Sequence, residues 1–111
     1  RWEGQINWER LEKVTRLSTR FLDNVIDANY YATPEIEEMT KSTRKIGLGV
    51  MGFADLLTQL RIPYNSSLAR TVGNRLIHDI RVWSDNESIQ LAKVRVVLSQ
   101  HSLWCGKNKT Y

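Results

Sequence analysis

The sequence predicts a mainly helical chain of about four helices and one short strand. Three observations carry that reading. Apolar residues recur at helical spacing in three blocks, capping residues and charge order mark a further helix after the first of them, and a glycine-rich apolar stretch at 46–50 separates that helix from the next. The 111 residues allow one small domain or part of a larger one. With 41% hydrophobic and 25% charged residues, the composition is that of a folded globular chain and argues against disorder.

Gly4 reads as a turn and Ile6 as the first apolar anchor. Asn7 can cap a helix by accepting a hydrogen bond from a first-turn N–H, and Ile6 and Leu11 occupy the two positions of a hydrophobic staple around it. Leu11, Val14, Leu17, Phe21, Leu22, Val25 and Ile26 then recur on one face. The expected helix covers about 8–27, with Leu11, Val14, Phe21 and Val25 buried, and Asn29 is its stop. Glu9 and Glu12 lie near its positive end.

Thr33 and Pro34 open a second helix as cap and first helical residue. Glu35, Glu37 and Glu38 suit the amino end of its dipole, and Lys41, Arg44 and Lys45 suit the carboxyl end. That charge order is a sufficient structural reason for these residues, and no spacing here demands a catalytic carboxylate pair. The stretch 46–50 is too short and glycine-rich to be stable alone, so it is expected to pair with strands elsewhere. Phe53, Leu56, Leu57 and Leu60 mark a third helix ending before Pro63. Asn65 or Ser66 caps a long fourth helix carrying Leu68, Val72, Leu76, Ile80, Trp83, Leu91 and Val94, a stripe that Glu87 interrupts. The period fades from Val96, and 105–111 reads as a polar tail.

Several function classes lose ground on composition alone. The net charge of +4 is spread along the chain among acids, which favours solvated helix faces over a nucleic-acid patch. No apolar run is long enough to cross a membrane, and no signal-peptide core is present. Cys105 is the one cysteine, which excludes an internal disulfide and suits a reducing compartment. Its neighbour His101, four residues away, makes only a pair of ligands, and His78 and His101 read as surface or packing histidines rather than metal sites. There is no Ser/His/Asp set, P-loop or paired-cysteine motif. The three sequons at Asn65, Asn86 and Asn108 read as chance occurrences. Gly47, Gly49 and Gly52 form a bare G-x-G-x-x-G triplet. About twenty residues on, where a ribose-binding acid would stand, the chain has Leu68 and Ala69, so tight strand–helix packing outweighs a dinucleotide site.

Residues 34–41, 44–55 and 62–66, together with Arg20, Phe21, Leu22, Asp23, Asn24, Val25, Ile26 and Asp27 upstream, resemble in one collinear order the large catalytic chain of ribonucleotide reductases, in its adenosylcobalamin-dependent branch. The resemblance implies an internal piece of a ten-stranded α/β barrel over 1–111, with 94–111 a divergent tail. It implies a parent that reduces ribonucleotides to deoxyribonucleotides for DNA synthesis, using a cysteine thiyl radical, a redox-active cysteine pair, a glutamate and adenosylcobalamin. The partners implied are the remainder of the reductase chain, ribonucleotide substrate and nucleotide effectors, in a cytoplasmic homodimer with no membrane and no direct nucleic-acid contact.

In the family, those cysteines and that glutamate lie outside the segment matched here. Cys105 matches none of them, so no catalytic or metal-binding residue is assigned, and the chain alone is expected to be inactive. Gly47, Gly49 and Gly52 match the family pattern, which implies packing near the substrate cavity on a barrel strand and the turn after it. Two departures stand out. Arg61 replaces the usual glycine before Ile62, Pro63 and Tyr64, and 94–99 lacks the glycine and proline that normally end the last helix; a truncated or decaying gene segment would explain both. A barrel piece without its neighbours is expected to melt broadly and to expose apolar surface. The alternative reading is a stand-alone basic helical module that binds nucleic acid or a partner helix.

Overall fold

The computed structural model describes residues 2–95. After a short 3₁₀ turn, Trp2–Gln5, come four helices: α1 (Trp8–Ala28), α2 (Pro34–Thr43), α3 (Phe53–Gln59) and α4 (Ser67–Arg95). The caps are those the sequence indicates. Asn7 Oδ1 accepts from the Arg10 N–H at 2.9 Å, the Thr33 hydroxyl accepts from the Ile36 N–H at 3.4 Å, and the Ser66 hydroxyl accepts from the Ala69 N–H at 3.1 Å. Pro34 opens α2 as its first residue, where a missing N–H costs nothing.

The apolar core sits between α3 and the amino half of α4. Leu57, Ile62, Ala69 and Val72 are buried together, with Trp2, Phe53, Leu60 and Leu76 packed around them. The turn between the two helices belongs to this core. The Arg61 N–H donates to the Thr58 carbonyl at 3.0 Å and the Ile62 N–H to the Leu57 carbonyl at 2.9 Å. These two bonds make a Schellman motif, and its characteristic apolar contact, Leu57 with Ile62, is part of the core cluster. Arg61 occupies the left-handed position of the motif at φ +57°, the place where glycine is favoured.

The long contact in the fold, α1 against α4, has a polar centre, with Ile26 and Ile80 also buried on these two helices. Thr15 and Thr19 are buried on α1, and the Thr19 hydroxyl lies 3.1 Å from the Ser84 hydroxyl across the seam. Glu87, the residue that interrupts the apolar stripe of α4, is only 7% exposed. Arg20 donates to its carboxylate at 2.9 Å and Arg16 at 3.5 Å.

This arrangement corrects two expectations. The buried face of α1 is not the line Leu11, Val14, Phe21 and Val25: Leu11 is half-buried, while Val14, Phe21 (63%) and Val25 are exposed, as is Leu17 (65%). The reason is rotational. Matching Arg16 and Arg20 to Glu87 turns Thr15, Thr19 and Ile26 inward, and the stripe of Val14, Leu17, Phe21 and Val25 faces away. Nor do residues 46–50 form a strand, since among the described residues they pair with no other segment. A strand is defined by its neighbours, and no other extended segment in the described chain supplies one. The helical part of the predicted class stands, with four helices in the predicted order.

Candidate functional site

The glycine segment 45–52 is held at both ends. At its start, Arg44 closes α2 in the left-handed conformation (φ 42°, ψ 43°) with its N–H donating to the Thr40 carbonyl at 2.9 Å. Its guanidinium makes a fork into α1: Nη1 and Nη2 donate to the two Asp27 oxygens at 2.7 and 2.8 Å, and Nε donates to Asp23 at 2.8 Å. Nη2 also donates to the Asp23 backbone carbonyl at 3.0 Å. Asp23 and Asp27 can share one guanidinium because they are four apart on a helix and therefore on one face. Arg95, at the end of α4, donates to Asp27 at 3.0 Å and also reaches Asp23 and Asn24.

Three helices thus meet at two carboxylates and two guanidinium groups. Hydrogen bonding to Asp27, then to Asp23, raises the Arg44 pKa above its ordinary value. The same bond from Arg44, ahead of the charges of Arg44 and Arg95, lowers the Asp27 pKa. Asp27 is half-exposed, so solvent screens much of this coupling, whereas Asp23 and Arg44 are mostly covered. The group is a structural clamp with every charge answered.

At the other end, Gly52 takes φ +78° and opens α3, its carbonyl accepting from the Leu56 N–H at 3.0 Å. A side chain here would force the left-handed conformation at a steric cost that glycine avoids. Between the clamp and this turn, Gly47 and Gly49 have no atom within 4 Å of the place where a Cβ would stand, and Met51 is fully exposed.

Val50, Met51 and Gly52 rim an apolar groove of about 410 Å³ between α1, α3 and α4, floored by Leu11, Leu56, Leu76 and Ile80. None of its lining residues titrates, so the groove can receive apolar groups but has no acid, base or nucleophile to offer. A second apolar groove, lined by Ile6, Leu11, Val14, Leu56 and Leu76, adjoins it. Among the described residues no three His, Cys, Asp or Glu side chains gather as a metal site. His78 is exposed on α4, and His101 and Cys105 lie outside the described residues.

The structure therefore places Gly47, Gly49 and Gly52 on one exposed connection beside an apolar groove. Two features escaped sequence reasoning. The clamp was foreshadowed by Asp23 and Asp27 at helical spacing, but its partners lie 17 and 68 residues away. Gly73 lies within α4, where a Cβ would come to 3.2 Å of Phe53 Cζ; a glycine inside an apolar helical stripe was the available sign of that close approach.

Residues 1–108 match the family model described as "Ribonucleotide reductase, barrel domain". The chain belongs to the ribonucleotide reductase barrel-domain family. Among its relatives, the vitamin B12-dependent ribonucleoside-diphosphate reductase of Mycobacterium tuberculosis (strain CDC 1551 / Oshkosh) is 46% identical over 93 residues, 84% of this chain and 13% of that protein. The protein of the same name from Thermoplasma acidophilum is 47% identical over 93 residues, 84% of this chain and 12% of that protein. The ribonucleoside-diphosphate reductase subunit alpha of Chlamydia pneumoniae is 37% identical over 98 residues, 88% of this chain and 9% of that protein. The reductase segment described here thus spans only a small part of the length of these relatives. No solved structure matches it significantly. Among the described residues, no helix is long and apolar enough to cross a membrane.

Proposed function

We propose that the chain is an internal segment of the barrel of a cytoplasmic ribonucleoside-diphosphate reductase large chain, whose parent reduces ribonucleotides to deoxyribonucleotides by thiyl-radical chemistry. The observation that carries this reading is the match of nearly the whole chain to the barrel-domain family, at 46–47% identity to two named reductases. The names of those two relatives favour the vitamin B12-dependent branch. Among the described residues, the two grooves do not fit a cobalamin site: both are small and apolar, with little to offer an amide-rich corrin ring. No step is assigned to cobalamin here. The rest of the reductase chain, the ribonucleotide substrate, the nucleotide effectors and a second parent chain are the partners of this reading.

Within the parent, Gly47, Gly49 and Gly52 are assigned to packing beside the substrate cavity. Gly52 has a local reason to be glycine in its φ of +78°. Gly47 and Gly49 have none, because a Cβ at either would meet open space. On this reading, a demand for glycine at those positions comes from surroundings outside the described residues.

The test is a chimera in which this chain replaces the matching 93-residue segment of the Thermoplasma acidophilum reductase. The chimera is expected to form deoxyribonucleotide, and the isolated chain to form none above background. A chimera that folds but shows no turnover, or an isolated chain with turnover, refutes the reading. Gly49→Ala in the chimera is expected to lower turnover at least tenfold without unfolding it.

A further inference from the structure

On α1, the face turned from α4 is the apolar one. Val14, Leu17, Phe21 and Val25 form a line of about 16 Å at the rise of a helix, all of them exposed. At Val14 this line joins the second groove, which shares Leu11, Leu56 and Leu76 with the groove beneath Val50 and Met51. A pair of helices that packs as an independent unit hides apolar faces and shows polar ones. Here α1 and α4 hide Thr15, Thr19 and Glu87 from water beside Ile26 and Ile80, and leave the apolar stripe of α1 exposed.

We propose that this stripe and the adjoining grooves form one docking face, and that its occupant is the remainder of the reductase chain. The inference rests on the reductase reading above and adds which side of the segment faces inward. Two arguments select the occupant. The matched relatives are several times longer than this chain, which covers 9–13% of them, so most of such a protein is present to cover the face. A covalently joined occupant also needs no free-standing affinity, because it does not pay the translational and rotational cost of association. A second copy of this chain does pay it.

Hydroxyl-radical footprinting of the full-length chimera, read by mass spectrometry, tests the face directly. Leu17 and Phe21 are expected to be oxidised at least tenfold more slowly in the folded chimera than in the same chimera in urea. Tyr30, exposed on the connection after α1, serves as the internal reference and is expected to change much less. A chimera with turnover in which Leu17 and Phe21 stay as reactive as Tyr30 overturns this inference and leaves the reductase reading standing. Protection that appears only as chimera concentration rises assigns the face to a second copy and also overturns it. A chimera without turnover or folded structure overturns the reductase reading, and this inference with it.

Discussion

The two ends of α4 are held by different physics. Its amino half packs Ala69 and Val72 against Leu57 and Ile62, a dry apolar contact closed by the turn at Arg61. Its carboxyl half meets α1 through Ser84 and Glu87, a seam of hydroxyls and ion pairs. Apolar burial is non-directional and scales with area, so the first contact contributes stability without strongly fixing register. Ion pairs and hydrogen bonds contribute little net stability but require particular partners, so the second fixes the rotation of α1. The difference teaches why the stripe of Val14, Leu17, Phe21 and Val25 faces outward: the polar seam sets orientation, and the apolar face is left for other surroundings.

The largest expected effect lies in the apolar half. Leu57 is 1% exposed, and Leu57→Ala removes its side chain from the centre of the core. The expected loss is about 2–5 kcal/mol, as for other buried leucine truncations. Hydrogen exchange is the suitable measurement because it reads local opening, and the loss should appear in the amides of α3 and the first half of α4. Equal loss at the far end of α4 would show that core and seam open as one unit, and the contrast would fail.

In the seam, the sign of the effect depends on which side is removed. Glu87 is buried, whereas Arg20 is largely exposed and Arg16 half-buried. Replacing both arginines with glutamine leaves a buried carboxylate without its cations, at an expected cost of about 1–3 kcal/mol. Glu87→Gln leaves the arginines with access to water, and should cost less than about 1 kcal/mol. Exchange of α1 amides in the two variants measures the difference. Equal costs would mean that the ion pairs themselves, rather than the burial of Glu87, hold the seam.

The sequence made one of these regions far more legible than the other. The core side rests on local signals: Phe53, Leu56, Leu57 and Leu60 at helical spacing, Pro63 as a stop, and Ser66 as a cap. All of them act within a few residues of where they stand. The seam rests on pairs such as Arg20 with Glu87, 67 residues apart, and periodicity carries no information about such a partner. Glu87 was visible only as a break in a stripe. The outward rotation of α1 followed from that unseen pair, so the helix was read correctly while its buried face was not. Residues 46–50 failed for the opposite reason, since their apolar pattern suits a strand whose partners the described chain lacks. The glycines of the candidate site were legible as a pattern, but the clamp at Arg44 that aims their segment was not.

A smaller effect, of opposite sign, is expected at the turn that closes the core. Arg61 holds φ +57° in the Schellman position, where a side chain costs about 1–2 kcal/mol. Glycine would relieve that cost but lose about 0.5–1 kcal/mol through its freer unfolded chain. Arg61→Gly should therefore stabilise the α3–α4 amides by about 0.5–1 kcal/mol and leave α1 unchanged. A destabilised Gly variant would show that the exposed Arg61 side chain contributes more than its backbone strain costs.

The smallest effect belongs to replacing both members of the hydroxyl pair in the seam. Thr19 is fully buried, and its hydroxyl lies 3.0 Å from the Thr15 carbonyl and 3.1 Å from the Ser84 hydroxyl. One hydrogen cannot serve both acceptors, so Thr19 donates to the carbonyl and accepts from Ser84, or donates to Ser84 and leaves the carbonyl its helical bond. Thr19→Val alone leaves the Ser84 hydroxyl facing a methyl group, with an expected cost of about 1 kcal/mol. Adding Ser84→Ala removes the stranded partner as well, and a pair replaced on both sides by apolar groups is nearly neutral. The double variant should therefore exchange like the parent chain, within about 0.5 kcal/mol, and be more stable than Thr19→Val by itself. Additive losses in the double variant would mean that the two hydroxyls act independently. The polar seam would then be a sum of separate helix-to-backbone bonds, and the rotation of α1 would rest on Glu87 and its arginines alone.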